Sequence, residues 1–408
     1  IETELLRLSF SNKGGRITSV ELRKFDTWDS LPLVLFTPDS SAFNYSFFSA
    51  NRLINSQDLY FSVFKDGLPF DSVSLLSLSG TDSTRIAFRI YPQAQASGAD
   101  APYMELSYLV RAAEYMQDHE VVFHRMSPYL DSRVNYLTLD WAADLKQQEK
   151  SLTNEKSTTT VYYKHLGEEV EHLSERSDDA ESIKTKLRWV GFKQQFFASV
   201  LIAEESFLNA DMSISEEQGM GERYLKSARS TMTIELTNAD AERIGLSMYF
   251  GPTRFKRLKS YGVELEEMIP LGWGILSWIN MFIVIPVFDY LESRIGNYGI
   301  IILILTILLK IVLFPIAYRT YMSSAKMRVL RPEVEEIGKK FPDQKDAMKK
   351  QQATMDLYRK AGVNPMAGCV PMLLQLPILI ALFRFFPASI ELRQQSFLWA
   401  TDLSTYDS

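Results

Sequence analysis

Tyr298–Tyr318 reads YGIIILILTILLKIVLFPIAY. About 20 apolar residues in a helix rise roughly 30 Å, the thickness of the hydrocarbon layer. Lys310 lies near the middle of this run. A charge at that depth costs on the order of 2.5–3.5 kcal/mol even on the most lenient insertion scale. A lysine near a helix end can snorkel to water, but a central one has too far to reach. Lys310 is therefore expected to face a wetted, protein-lined cavity. The competing readings are a structural lysine paired with a carboxylate or carbonyl, and a core helix of a soluble protein. A second apolar span, Met366–Phe386 with Pro371, Gln375 and Pro377 inside it, weighs against the soluble reading. Prolines are tolerated in spans when neighbouring helices or water satisfy the freed carbonyls.

Upstream, residues 271–291 are also apolar, with Trp273, Trp278, Pro286 and Asp289 and a thin polar stripe at Ser277 and Asn280. The pattern fits a span or a helix lying in the interface, where tryptophans favour the headgroup level. Between the two clear spans, two amphipathic helices are expected. Met327, Leu330, Val334, Ile337 and Phe341 form one stripe, and a break follows at Phe341-Pro342-Asp343. Met348, Met355 and Tyr358 form the other, which Gly362 and Asn364-Pro365 stop. These spacings place each set on one helix face. Arg319–Ala361 carries eleven Lys/Arg against six Asp/Glu, a balance of +5 in a chain of net charge −6. Plain positive-inside topology accounts for that charge and puts the hairpin in the cytoplasm; contact with a ribosome or targeting factor is a further claim. The remainder, at −11, argues against a nucleic-acid binder.

The chain has 408 residues, too many for one ordinary core, so two or more domains are expected. Its mean hydropathy of −0.09 averages a polar, acidic first part with an apolar end. The single cysteine, Cys369, excludes a disulfide framework, which fits a periplasmic domain relying on its own core. Residues 1–251 read as β-rich. Leu6, Leu8 and Phe10 alternate with Arg7 and Ser9, Asn12–Gly15 makes a turn, and Val20 and Leu22 resume the alternation. Further strands are expected at Arg85–Tyr91, Met104–Val110, Val121–Arg125, Arg133–Leu139, Phe196–Ile202, Ser230–Leu236 and Leu246–Phe250, together a large antiparallel sandwich. Lys146–Lys186 is polar and charged and is expected as an exposed excursion, partly disordered near Ser174–Ser182. Residues 252–270 look like a charged linker. The four histidines, His119, His124, His165 and His172, form no HExxH or His/Cys cluster, and no GxSxG, Walker or GxGxxG motif is present. No catalytic residue, cofactor or metal is expected.

Several ordered motifs between Asn297 and Ser404 resemble the YidC-type (Oxa/Alb family) membrane protein insertases. They are the lone basic residue ahead of Phe314-Pro315, Ala325-Lys326-Met327-Arg328, Leu357-Tyr358-Arg359-Lys360 and Val363-Asn364-Pro365. Gly368-Cys369-Val370-Pro371, Gln375-Leu376-Pro377-Ile378, Glu391-Leu392-Arg393 and Asp402-Leu403-Ser404 complete the series. Asn12-Lys13-Gly14-Gly15, Trp189-Val190-Gly191 and Gln195-Phe196-Phe197 carry a weaker resemblance to the periplasmic domain of Gram-negative members.

The resemblance implies a mixed fold: a periplasmic β-supersandwich (1–251), then an α-helical membrane domain. That domain would comprise an interfacial amphipathic helix (271–296), a transmembrane helix (297–319), a cytoplasmic helical hairpin (320–363), a second transmembrane helix (364–388) and a periplasmic loop (389–408). It implies a multi-pass protein of the bacterial inner membrane, and this chain is expected to lack the first and last spans. A hydrophilic groove would carry Lys310, at the family's arginine position, with Thr306 and Gln375 beside it. Lysine keeps the charge but loses the bidentate fork. The implied activity is non-enzymatic: inserting and helping to fold membrane proteins, alone or with the Sec translocon. The implied partners are nascent membrane proteins, Sec translocon subunits and membrane lipids. Ribosome or signal-recognition targeting factors would meet the hairpin at Lys326, Arg328, Arg331, Lys349, Lys350, Arg359 and Lys360; no direct nucleic-acid contact is implied. The alternative is a membrane-anchored periplasmic sandwich that binds or modifies carbohydrate. A transporter is weaker, because neither clear span holds an acidic residue.

Overall fold

A computed structural model describes residues 1–49, 51–70, 74–93, 101–216, 223–237, 239–341, 346–362 and 370–405. The chain divides into two units, Ile1–Ile269 and Pro270–Ser408.

The first unit is built on antiparallel strands in sheets of three, ten and six. The ten-stranded sheet includes Ser83–Ile90, Tyr103–Arg111, Met116–His124, Thr160–His165, Leu187–Lys193, Phe197–Phe207 and Ala241–Pro252. The six-stranded sheet includes Ser41–Ser49, Tyr136–Lys146, Asn209–Ser215 and Tyr224–Glu235. Strict alternation shapes the strands: Leu137, Leu139, Trp141, Ala143 and Leu145 are buried while their neighbours are not. A strand points successive side chains to opposite faces, so alternation buries one face of each sheet. Side chains from the two sheets meet in the core. The Trp141 ring stacks on Phe192 with centroids 3.9 Å apart, and Phe47 meets Phe123 edge-on at 5.7 Å. Each buried ring of this size contributes roughly 1.5–3 kcal/mol through the hydrophobic effect. The three-stranded sheet (Leu6–Ser11, Arg16–Asp26, Pro32–Phe36) packs its Phe10 on Phe88 and Tyr108. Its first turn needs glycine: Gly15 has φ +59°, and a Cβ there would lie 3.0 Å from Phe88.

Two expectations fail in this unit. The polar segment 146–186 is an exposed excursion only in its second half: most of residues 166–186 are exposed, with Asp179–Ile183 an ordered edge strand, whereas residues 146–165 pack into the sandwich. Thr160–His165 is a strand of the ten-stranded sheet, with Tyr162 and Tyr163 buried. A short helix, α1 (Leu152–Lys156), brings in Glu155, fully buried, whose carboxylate accepts from the Gln148 and Glu149 amides and from Gln194. Buried Lys226 donates to the carbonyls of Thr159 and Glu175 at 3.0 and 2.8 Å. Composition read these charges as solvated, whereas tertiary pairing satisfies them inside. Nor is 252–270 a linker. Helix α2 (Phe255–Ser260) and the turn Leu265–Met268 belong to the first unit, with Leu258, Leu265 and Met268 fully buried. The Trp189 indole donates to Val263 O at 2.8 Å, tying this segment to the ten-stranded sheet.

The second unit is helical: α3 (Ile275–Ile279), α4 (Ile285–Glu292), α5 (Tyr298–Val329), α6 (Arg331–Lys340), α7 (Ala347–Lys360) and α8 (Val370–Ala388). A π-helical turn, Asn280–Val284, joins α3 to α4. Helix α5 continues without a break from the expected span into the first arm of the hairpin. The Asn297 side chain caps it by accepting from the Ile300 amide. In the hairpin, Met327, Leu330, Val334, Ile337 and Phe341 are all half-buried. The stripe expected on α7 is displaced: Met348 and Met355 are exposed, whereas Ala353, Thr354, Leu357 and Tyr358 are half-buried. Pro342-Asp343, Val363–Pro365 and Gly368-Cys369 lie outside the described residues.

Candidate functional site: the apolar helices and their polar residues

Helix α5 carries apolar side chains on every side. Ile301 and Leu305, near its start, are buried, but Leu303, Ile307, Leu308, Ile311, Val312 and Phe314 are exposed. A helix of this length, apolar all round, belongs in a hydrocarbon layer or a larger helix bundle. α5 and the stretch Ile275–Glu292 are both long and apolar enough to cross a membrane.

Lys310 is exposed, and among the described residues no ion pair or hydrogen bond engages its ammonium. Thr306, four residues earlier, shares its helix face. The Thr306 hydroxyl donates to Ile302 O at 2.8 Å, so it is turned to its own helix. Gln375 is exposed on α8. Lys310 and Thr306 are thus brought together, while among the described residues no hydrogen bond joins either to Gln375. The seven hairpin cations, Lys326, Arg328, Arg331, Lys349, Lys350, Arg359 and Lys360, are all exposed. Two of them are tied locally, Arg331 to Glu335 at 3.2 Å and Lys349 to Asp346 at 3.0 Å. Exposed pairs of this kind contribute little and leave the cationic surface available.

Residues 275–292 do not form a helix with one polar and one apolar face. Leu276, Ile279, Val284, Ile285 and Phe288 are buried, and the outward residues Trp273, Ile275, Trp278, Phe282, Ile283 and Tyr290 are apolar or aromatic too. One polar residue, Asn280, is on the inside, while Ser277, Asp289 and Glu292 are half-buried. Asn280 is fully buried, and its amide donates to Leu271 O at 2.8 Å and to Ala381 O on α8 at 2.9 Å. The sequence showed Asn280 only as part of a surface stripe; its role as a clamp depends on α8, about a hundred residues away. Its Oδ1 is buried without a hydrogen-bond partner among the described residues.

The first unit has its own polar groove of about 380 Å³, beside Asp118, Glu120, Arg188, Glu204, Arg243 and Tyr261. The charges in it are committed to one another. Arg243 bridges Glu120 (2.8 Å) and Glu204 (2.9 Å), and Glu120 also meets Arg85 at 2.6 Å. Burial opposes the Glu120 charge, but the two guanidiniums outweigh it and hold its pKa below the ordinary carboxylate value. No histidine lines this groove. His119 lies in the core instead, between Tyr45 Oη (2.8 Å) and Ser107 O (3.0 Å), with its ring stacked on Tyr108. Burial lowers its pKa to about 4. Among the described residues, no three His, Cys, Asp or Glu side chains converge as a metal site.

A large antiparallel sandwich followed by lipid-length apolar helices defines the class: a membrane protein with a bulky domain outside the hydrocarbon. Comparison with known proteins places it within that class. Residues 1–286 match the family model described as the YidC periplasmic domain, and residues 290–408 match that of the 60Kd inner membrane protein. The chain belongs to the YidC membrane protein insertase family. It is similar to the membrane protein insertase YidC of Parabacteroides distasonis, 43% identical over 417 residues, covering all of this chain and 62% of that protein. The same protein of Bacteroides fragilis is 39% identical over 415 residues, with 63% of its length covered. The chain therefore spans a little over three fifths of these relatives.

Among solved structures, a galactose mutarotase related enzyme from Lactobacillus acidophilus covers 62% of this chain and 96% of its own. Its TM-score is 0.36, at 9% identity. An alpha-N-acetylgalactosaminidase from Bifidobacterium bifidum gives 0.37 at 14% identity, covering 66% of this chain and 39% of its own.

Proposed function

We propose that this chain forms part of a non-enzymatic membrane protein insertase and chaperone, acting through a wetted intramembrane groove that Lys310 charges. One observation carries the reading: an exposed ammonium, unpaired among the described residues, in the middle of an apolar run long enough to span a bilayer. A lone charge in hydrocarbon is costly, so such a residue belongs beside water or a charged client. Thr306 and Gln375 are its polar neighbours in the groove. No bond chemistry is involved. The groove lowers the cost of moving a short polar segment into the membrane, Lys310 attracts acidic residues of that segment, and the client's apolar stretch leaves sideways into lipid.

In this reading the sandwich lies in the periplasm and the α6–α7 hairpin in the cytoplasm. The hairpin's cations are available to a ribosome or targeting factor, and Sec translocon subunits cooperate with some clients. Ile275–Glu292 lies flat in the outer interface.

The test is complementation by the full-length protein in cells depleted of their own insertase. Lys310→Arg should sustain growth and client insertion, Lys310→Ala should weaken both, and Lys310→Glu should weaken them most. Full activity of Lys310→Glu would remove the charge from the mechanism.

A further inference from the structure

After α8 the chain makes a tight turn whose tip is apolar. Phe397 and Ala400 exchange backbone hydrogen bonds, each N–H donating to the other's carbonyl at 3.0 Å. The two residues between them are Leu398 and Trp399, with relative exposures of 75% and 80%. Leu398 has φ +53°, a left-handed conformation that a bulky side chain rarely takes. Tight turns usually place Gly, Asn or Asp in such positions. Here the fold holds a leucine in that state and presents it to the outside beside a tryptophan.

The base of the turn is locked. Asp402 Oδ1 accepts from the amides of Gln394 (3.0 Å) and Ser404 (2.8 Å), and from the Ser404 hydroxyl. The Leu403 amide donates to Gln395 O at 2.9 Å. Its depth is set as well. Phe397 lies directly against the backbone of Gly299 in the first turn of α5, where a Cβ would fall 2.0 Å from the ring. The tip therefore stands level with the start of the apolar run Ile300–Leu309.

We infer that Leu398 and Trp399 form a wedge that enters the headgroup–acyl boundary of the bilayer, at the end of the membrane where α5 begins. Three facts favour lipid as its occupant. The Phe397–Gly299 contact fixes the tip at the membrane surface. An indole prefers the headgroup level, and the leucine beside it extends the apolar reach. The polar lock at Asp402 lies behind the tip, so the wedge is rigid and loses little freedom on entering the interface. A wedge held this way would fix α5 and α8 at a set depth, which a groove open at one side requires. The inference rests on α5 spanning the membrane.

The test uses the full-length protein in phospholipid vesicles, in a background free of other cysteines. A fluorescent label is placed at Trp399→Cys or, in a second variant, at Leu308→Cys in the middle of the apolar run of α5, on the side away from Lys310. Quenching is read from nitroxide lipids of graded depth and from aqueous iodide. The label at 308 should be quenched by deep nitroxides, and the label at 399 by nitroxides near the headgroup and hardly by iodide. If 308 responds to lipid but 399 responds only to iodide, the wedge is wrong. If 399 responds to neither, protein covers the tip and the lipid assignment is equally wrong. If 308 itself fails to respond, the span reading falls first and the wedge with it. Leu398→Cys, labelled in the same way, serves if Trp399→Cys does not fold.

Discussion

At the scale of single residues, two ionisable groups placed apolar-side make opposite demands. His119 sits in the sandwich core and is kept neutral: burial lowers its pKa from 6.5 to about 4. The unfolded chain therefore binds more protons than the folded one between those values. Stability should fall as pH drops from about 6.5 to 4 and be unaffected by this group above that window. The full effect is on the order of 3 kcal/mol. Urea unfolding of residues 1–269 across this range should show the slope, and His119→Phe should flatten it while costing the Tyr45 and Ser107 hydrogen bonds. Lys310, by contrast, is exposed on an apolar helix. It was legible in the sequence because a central charge in a long apolar run is conspicuous in one dimension. Thr306 was implied by the family resemblance, and in the helix it lies four residues earlier on the same face. Gln375 was not tied to them by spacing, since it lies on another helix.

At the scale of elements, the decisive contacts join segments far apart in the chain. Asn280 binds the helix of residues 275–292 to α8 and to the turn before it. Asn280→Leu should lower the thermal stability of the membrane-embedded protein by about 1–2 kcal/mol, through two carbonyls left without their donor. Asn280→Asp should be worse, because it also buries a charge. Gly299→Ala should displace Phe397 from its seat and cost about 1–3 kcal/mol, since the added Cβ would fall 2.0 Å from the Phe397 ring. A thermal melt of each variant in the same lipid or detergent checks both. The hairpin was the clearest element in the sequence. Its first stripe lies where the periodicity puts it, but the second is displaced, since facing contacts and not hydropathy choose which turn of α7 meets α6. Deleting Ser324–Lys360 should abolish complementation; a healthy strain would reduce the hairpin to a topological signal.

At the scale of the whole molecule, the two units follow different solvents. The first satisfies its charges internally, as Glu155, Lys226 and the Arg85–Glu120–Arg243–Glu204 chain do. The second leaves large apolar side chains uncovered on α5 and on the helix of residues 275–292. Separate expression should reflect this. Residues 1–269 should be soluble and unfold cooperatively, with a core of their own; residues 270–408 should require detergent or lipid. Sedimentation in detergent-free buffer distinguishes the two outcomes.

Local pattern alone was enough to separate a β-rich part from an apolar helical part, to place the Lys310 helix and to mark the basic hairpin. Each of these depends on residues within a few turns or a strand's length of one another. Tertiary structure alone decided that 146–186 and 252–269 belong to the sandwich, that Asn280 faces inward, and that Leu398 and Trp399 stand on a strained, locked turn. In the first three cases a polar group is satisfied by a partner remote in sequence, and composition cannot distinguish a polar group bonded to water from one bonded to a distant element.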